Sequence, residues 1–171
     1  GALANSLVNF FKAEGANSVV DFGCGEGKYV RILLDNGITC RGYDGHPDTY
    51  EMSGGIAGVK DLSKPFYLGK KFDWVMSIEV GEHLPKEFEA IFIKNLTKHA
   101  RHGIVLSWAL PGQGGFGHFN EQSNAYIKEL LAGYGFEADE AAERELRNGA
   151  ECWWLKNTVM VFRKVKKTEP A

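Results

Sequence analysis

Little in this 171-residue chain points to a membrane, a disulfide scaffold or a nucleic-acid surface. There are three cysteines, Cys24, Cys40 and Cys152. An odd, sparse set with no CxxC pair builds neither a disulfide framework nor a thiolate metal site. A reducing compartment fits, and the cytoplasm is the expected location. No apolar run nears the roughly 20 residues that span a bilayer, so no membrane association is expected. No basic stretch leads into an apolar core at the start, so no signal peptide is read there. The chain opens Gly-Ala directly before a helical pattern, as a segment of a longer protein would. The net charge is −2. Tight nucleic-acid binding usually shows as a basic excess, and none is present.

What is there is the profile of a globular domain: 44% hydrophobic and 12% aromatic residues. No repeat or low-complexity linker divides it, so one domain over residues 1–171 is expected. Leu3, Leu7, Val8, Phe10 and Phe11 recur at helical spacing. The apolar run 18–22 reads as a buried strand, and residues 29–34 as a helix stopped by Asn36-Gly37. Strands are expected at 38–43, 57–60, 72–78, 103–107, 136–142 and 158–164. A helix is expected from near Pro85, with Phe88, Ile91, Phe92 and Leu96 as its inner stripe. Another should be capped by Asn120 and carry Tyr126, Ile127, Leu130 and Leu131. Alternating strands and helices imply an α/β fold with a mostly parallel sheet covered on both faces. Ligands of such sheets bind beyond the carboxyl ends of the strands, so the strand-to-helix turns carry the information.

The first of those turns reads Val20-Asp21-Phe22-Gly23-Cys24-Gly25-Glu26-Gly27. Glycines let a backbone turn sharply and approach a ligand closely. The spacing is GxGxG, and Lys28 stands where the dinucleotide fingerprint wants its third glycine. An acid at position 21 also sits awkwardly beside a pyrophosphate. S-adenosylmethionine, which carries an ammonium and a sulfonium, suits Asp21 better than NAD does. Asp44 closes the second strand about 20 residues after the turn, where an acid can accept hydrogen bonds from both hydroxyls of a ribose.

The segment 19–27 resembles motif I of class I, Rossmann-like, S-adenosylmethionine-dependent methyltransferases. Phe72 to Val80 is similar to motif IV of the same family. The resemblance covers residues 17–107 well and the rest more loosely. It implies a three-layer α/β fold whose seven-stranded sheet ends in an antiparallel strand. It implies S-adenosylmethionine as cofactor, with Gly23 and Gly25 at its methionine end and Asp44 on its ribose; Asp21 joins the cofactor-binding set through its charge. It also implies Asp61 and Leu62 at the adenine, and Ser77 and Glu79 along the methionine moiety.

Methyl transfer displaces a methyl group from an already activated sulfonium, so the protein chiefly orients, excludes water and supplies a base. Base candidates should follow the fourth and fifth strands. His118 is the first. It ends a stretch, 107–118, that has no other titratable side chain. His83, close to a helix start, is the second. Each has a plainer role available, as a surface residue beside a cap or as a closure of the methionine pocket. Glu79, Glu82, His83 and His118 also permit a metal site of two carboxylates and two imidazoles. That set resembles the small-RNA 3′-terminal 2′-O-methyltransferases, but no metal is assigned here.

Basic residues give the RNA reading little help. Lys94, Lys98, His99, Arg101 and His102 cluster at a helix end, and Arg163, Lys164, Lys166 and Lys167 read as a solvated tail, both away from the expected mouth. Of Trp153 and Trp154, alternation sends one into the core. The expected function is transfer of a methyl group to an oxygen or nitrogen of a small molecule gripped by loops 107–119 and 143–154. The alternatives are a metal-assisted RNA 2′-O-methyltransferase and a catalytically silent cofactor-binding module. A nicotinamide reductase is opposed by Asp21 and Lys28.

Overall fold

The fold is seen in a computed structural model, which describes residues 1–166; the tail residue Lys167 lies outside them. Its elements are α1 (Ala2–Ala13), β1 (Val19–Phe22), α2 (Lys28–Asp35), β2 (Cys40–Asp44), α3 (Thr49–Met52), β3 (Ala57–Val59) and β4 (Phe72–Ser77). There follow α4 (Glu89–His99), β5 (Ala100–Leu106), α5 (Asn124–Ala132), β6 (Phe136–Ala138), α6 (Glu140–Asn148), α7 (Trp153–Thr158) and β7 (Met160–Lys164). The seven strands form one sheet in the order β3-β2-β1-β4-β5-β7-β6. All neighbours pair in parallel except β7, which runs antiparallel to β5 and to β6. The expected seven-stranded sheet with an antiparallel last strand is therefore present.

Every residue of β1 and β4 is buried, because helices cover both sides of these central strands. From Trp74 onward successive side chains alternate between the layers, an irregularity between Phe72 and Trp74 setting Phe72 out of that phase. Trp74 and Met76 point to the layer of α1, α2 and α6, packing with Leu7, Phe11, Leu33 and Leu146. Phe72 and Val75 point to the layer of α4 and α5, packing with Phe92, Leu96, Ile127 and Phe136. Among the described residues no helix is long and apolar enough to cross a membrane.

Several local expectations need correction. The helical run does start just after Pro85, but as a 3-10 turn, Lys86–Phe88, that follows another such turn, Gly81–His83, and leads directly into α4. Its fully buried apolar stripe is Phe92, Ile93 and Leu96, while Phe88 and Ile91 are only partly covered. Ser123, not Asn120, caps α5, its hydroxyl accepting from Tyr126 N at 3.1 Å. Asn120 is buried instead and donates to Glu89 Oε2 at 2.6 Å. The strand expected over 136–142 stops at Ala138. Asp139 then caps α6 by accepting from Ala142 N at 3.0 Å, a start signal that the reading passed over. Residues 143–154 are consequently mostly helical and not an open substrate loop, and α6 packs on α1. Arg163 is no solvated tail residue. It is paired with Asp139 at 2.8 Å and with both carboxylate oxygens of Glu14, tying β7 to α1. His99 is fully buried, bonded to Asn95 O and to Leu68 N.

Candidate active site

A cavity of about 310 Å³ opens at the carboxyl ends of β1, β2 and β4. It is lined by Gly23, Asp44, Gly45, Asp61, Leu62, Glu79, Val80, His83 and Leu84. Six of the ten expected site residues thus line this one cavity: Gly23, Asp44, Asp61, Leu62, Glu79 and His83.

The floor is set by backbone geometry. Gly23 has φ +85°, and a Cβ there would lie 2.2 Å from Val80 Cγ2. Only glycine lets the first turn and the segment after β4 close on each other. Gly25, at φ +55°, donates its N–H to Asp44 Oδ2 at 2.9 Å, and His46 N donates to Oδ1 at 2.9 Å. Each Asp44 oxygen therefore has one backbone donor and keeps acceptor capacity for a ligand's hydroxyls. Asp61 accepts from Ser63 N at 3.0 Å and from its hydroxyl, and these bonds hold its carboxyl below the ordinary range.

Asp21, Gly25 and Ser77 do not line the cavity, and Asp21 and Ser77 are buried. Burial, and then the nearby Asp44 carboxylate, push the Asp21 carboxyl up to about 7. An unpaired buried acid at that place favours a cation beside it. The Ser77 hydroxyl donates to Phe22 O at 2.7 Å, joining β4 to β1. Glu79 occupies φ +59°, the left-handed region, as the only non-glycine residue to do so among those described. Its N–H is held by the Ser107 hydroxyl at 2.7 Å, which fixes the strained turn. Burial raises the Glu79 carboxyl, while the neighbouring Trp154 indole opposes the rise. Trp154 is half-buried and Trp153 exposed, so the tryptophan that reaches inward does so beside an acid.

Across from this wall stands the segment after β5. Phe119 N and Asn120 N both donate to Glu82 O, at 2.8 and 3.1 Å, which clamps the segment to the turn after β4. His83 donates from Nδ1 to Gly117 O at 3.1 Å. His118 does not line the cavity itself. Its ring meets that of His83 edge-to-face, with centroids 4.9 Å apart. His118 Nδ1 faces Glu121 Oε2 at 2.9 Å. The sequence reading missed Glu121; the signal was an acid three residues after the histidine in a glycine-rich turn. Glu82 is buried, with Oε2 unpartnered and its carboxyl pushed up to about 7 by burial. Glu82, His83 and His118 bring one ligand atom each within 4.8 Å of one another, so these three could hold a metal ion; Glu79 is outside that group.

The arrangement offers a ribose-sized acid at Asp44, acids suited to a cation, and two imidazoles at the opposite lip. Comparison with known proteins points the same way. The family model described as a methyltransferase domain matches residues 2–141. The chloroplastic tocopherol O-methyltransferase of Arabidopsis thaliana is 34% identical over 106 residues, covering 53% of this chain and 30% of that protein. The chain thus spans under a third of that curated relative. Among solved structures, magnesium protoporphyrin IX methyltransferase from Synechocystis PCC 6803 with bound SAM superposes with a TM-score of 0.69 at 21% identity, covering 96% of this chain and 78% of that one. The methyltransferase domain of the bacterial Hen1 protein CtHen1 superposes with a TM-score of 0.68 at 19% identity, covering 96% and 98%. At these identities the two structures show a shared fold.

Proposed function

The chain belongs to the methyltransferase-domain family, and from that premise we propose that it transfers a methyl group from S-adenosylmethionine to an oxygen or nitrogen of a small molecule. The observation that carries the reading is Asp44, placed at the end of β2 with one backbone donor on each oxygen. Such a carboxylate accepts from two vicinal hydroxyls without further movement. Gly23 and Val80 close the floor, Asp61 and Leu62 meet the base, and Glu79 with buried Asp21 faces the cationic end. When bound, the cofactor supplies a methyl group on a sulfonium that leaves as a neutral thioether.

The protein's part is to hold the acceptor in line, exclude water and take one proton. His83 and His118 are the residues proposed for that proton. An acceptor X–H would give it to a bare imidazole Nε2 as the X–CH3 bond forms, and the imidazolium would return it to solvent. The cavity wall carries Asp44, Asp61 and Glu79 but no lysine or arginine among the described residues. Those acids are taken by the cofactor; a tight grip on a phosphate-rich acceptor would also call for a basic excess, and the net charge is −2, which favours a small molecule. The free cysteines Cys24, Cys40 and Cys152 support a reducing compartment such as the cytoplasm.

A second reading, a metal-assisted RNA 2′-O-methyltransferase, draws on one observation, the Glu82–His83–His118 group. Methyl incorporation from labelled S-adenosylmethionine, screened against a metabolite extract and an RNA pool, tests both. Labelling of small molecules is expected. Labelling confined to RNA would replace the first reading with the second, and binding without any labelling would leave a silent cofactor-binding module.

A further inference from the structure

The glycine-rich segment after β5 is held by a single carboxylate. Glu121 accepts Gly112 N on Oε1 at 3.1 Å and Gly114 N on Oε2 at 2.9 Å. The same Oε2 lies 2.9 Å from His118 Nδ1. The His118 bond, with the two glycine N–H groups, holds the Glu121 carboxyl below its ordinary range. An ionised carboxylate can only accept, so the hydrogen between it and His118 belongs to Nδ1. Nε2 of the neutral ring is then bare. Gly115 preserves the space beside it: a Cβ on Gly115 would lie 2.5 Å from His118 Nε2 and Cε1. The His118 ring also packs edge-to-face against His83, which lines the cavity.

We infer that Glu121 is the positioning residue of this mouth, folding the glycine-rich segment and locking His118 in the Nδ1–H tautomer with Nε2 free to accept the acceptor's proton. The inference rests on the methyltransferase reading for its catalytic consequence, but not for the tautomer. Neutral imidazole not held by a partner can carry its hydrogen on either nitrogen, and the hydrogen bond at one sets the role of the other. Loss of Glu121 removes that control. A glutamine at 121 still presents an amide oxygen to Nδ1–H, so Glu121→Gln should preserve the tautomer, while Glu121→Leu should not.

The test is long-range 1H–15N spectroscopy of histidine-labelled, full-chain protein, at a pH where the imidazoles are neutral. Buried His99, fixed between Asn95 O and Leu68 N, serves as an internal standard of folding. In the unsubstituted protein the His118 Nε2 resonance is expected at the unprotonated end of the imidazole range. Glu121→Leu should move it towards the protonated end, and Glu121→Gln should leave it in place. Turnover should fall by roughly 10²-fold in Glu121→Leu and recover most of the way in Glu121→Gln, with KM for S-adenosylmethionine unchanged. A protonated Nε2 in the unsubstituted protein overturns the inference, and that measurement needs no variant to fold. So does an unmoved His118 signal in a Glu121→Leu protein whose His99 signal is intact. If no methyl transfer is found while the tautomer behaves as stated, the functional reading fails and the positioning of His118 stands.

Discussion

The two walls of the cavity are built on different principles. The β1–β2 wall is a backbone structure. Gly23 and Gly25 hold left-handed conformations, and the Asp44 carboxylate is fixed by two main-chain N–H groups. The opposite lip is a side-chain structure. Its parts are His83, His118, Glu82 and Glu121, on short turns and a glycine-rich segment clamped by Glu82 O. Rigid strand ends suit a ligand that is the same in every turnover, and an adjustable lip suits an acceptor that must enter and leave. Substitutions on one wall should therefore alter cofactor affinity, and substitutions on the other should alter turnover.

The largest effect is expected on the lip. His118→Ala should reduce turnover by about 10²–10⁴-fold, the usual contribution of a general base. S-adenosylhomocysteine affinity, read by calorimetry, should hardly change, because His118 does not line the cavity. Parallel loss of both would show that the lip also builds the cofactor wall. Intact turnover would transfer the role to His83, which does face the cavity.

Asp21 tests the other wall through pH. Its carboxyl titrates near 7 when folded against an ordinary 3.8. Between those values the folded protein keeps a proton that the unfolded chain has lost, so stability falls as pH rises from about 4 to 7. The full shift corresponds to about 4 kcal/mol, and relaxation of the site should leave about 2–4. Asp21→Asn should remove most of that slope in denaturant melts, making the protein more stable than the parent at pH 8 and no different at pH 4. Buried Glu82, also near 7, should leave a residual slope. S-adenosylhomocysteine should flatten the parent's slope if its ammonium lies near Asp21, and an unchanged slope would place that end elsewhere.

The same division explains what the sequence made legible. The β1–β2 wall was readable because its requirements are local: glycines at set spacing and an acid at a strand end. Even there, spacing alone does not reveal depth: Asp21 and Ser77 are buried and do not line the cavity. On the lip, His83 and His118 were named and do meet, but the contacts that hold them were not legible because they join separate segments. Glu121 and His118 are three residues apart, but the clamp between 119–120 and Glu82 spans two loops. Asn120 looked like a helix cap and is instead pulled inward to Glu89, leaving Ser123 to start α5. The α6–α7 region failed for another reason. The charged α6 has only Ala142, Glu143 and Leu146 buried, too short a stripe to stand out among its arginines and glutamates.

A more modest effect is expected at Asp44. Asp44→Ala should weaken S-adenosylhomocysteine binding by about 1–3 kcal/mol, as paired ribose hydrogen bonds are lost. Turnover at saturating cofactor should fall far less than in His118→Ala. Tight NADH binding in the parent protein, with no S-adenosylhomocysteine binding, would remove the ribose assignment from this cofactor altogether.

The smallest effect expected is none, on chelation. Glu82, His83 and His118 stand close enough to hold an ion, yet both imidazoles have a partner without one. His118 Nδ1 is bonded to Glu121, and His83 Nδ1 to Gly117 O. Glu82 carries the backbone carbonyl that clamps Phe119 and Asn120, a role that its carboxyl does not share. The displacement at a sulfonium needs no Lewis acid when an imidazole takes the acceptor's proton. A metal becomes useful where it must grip the paired hydroxyls of a terminal ribose, and a chain of net charge −2 has no basic excess for the phosphates that come with it. Turnover on a small-molecule acceptor should therefore be the same before and after treatment with EDTA and in added magnesium or manganese. Loss on chelation, restored by either ion, would turn the lip from a proton-accepting device into a metal centre, with Glu121 and Gly117 O as the groups that orient its imidazoles.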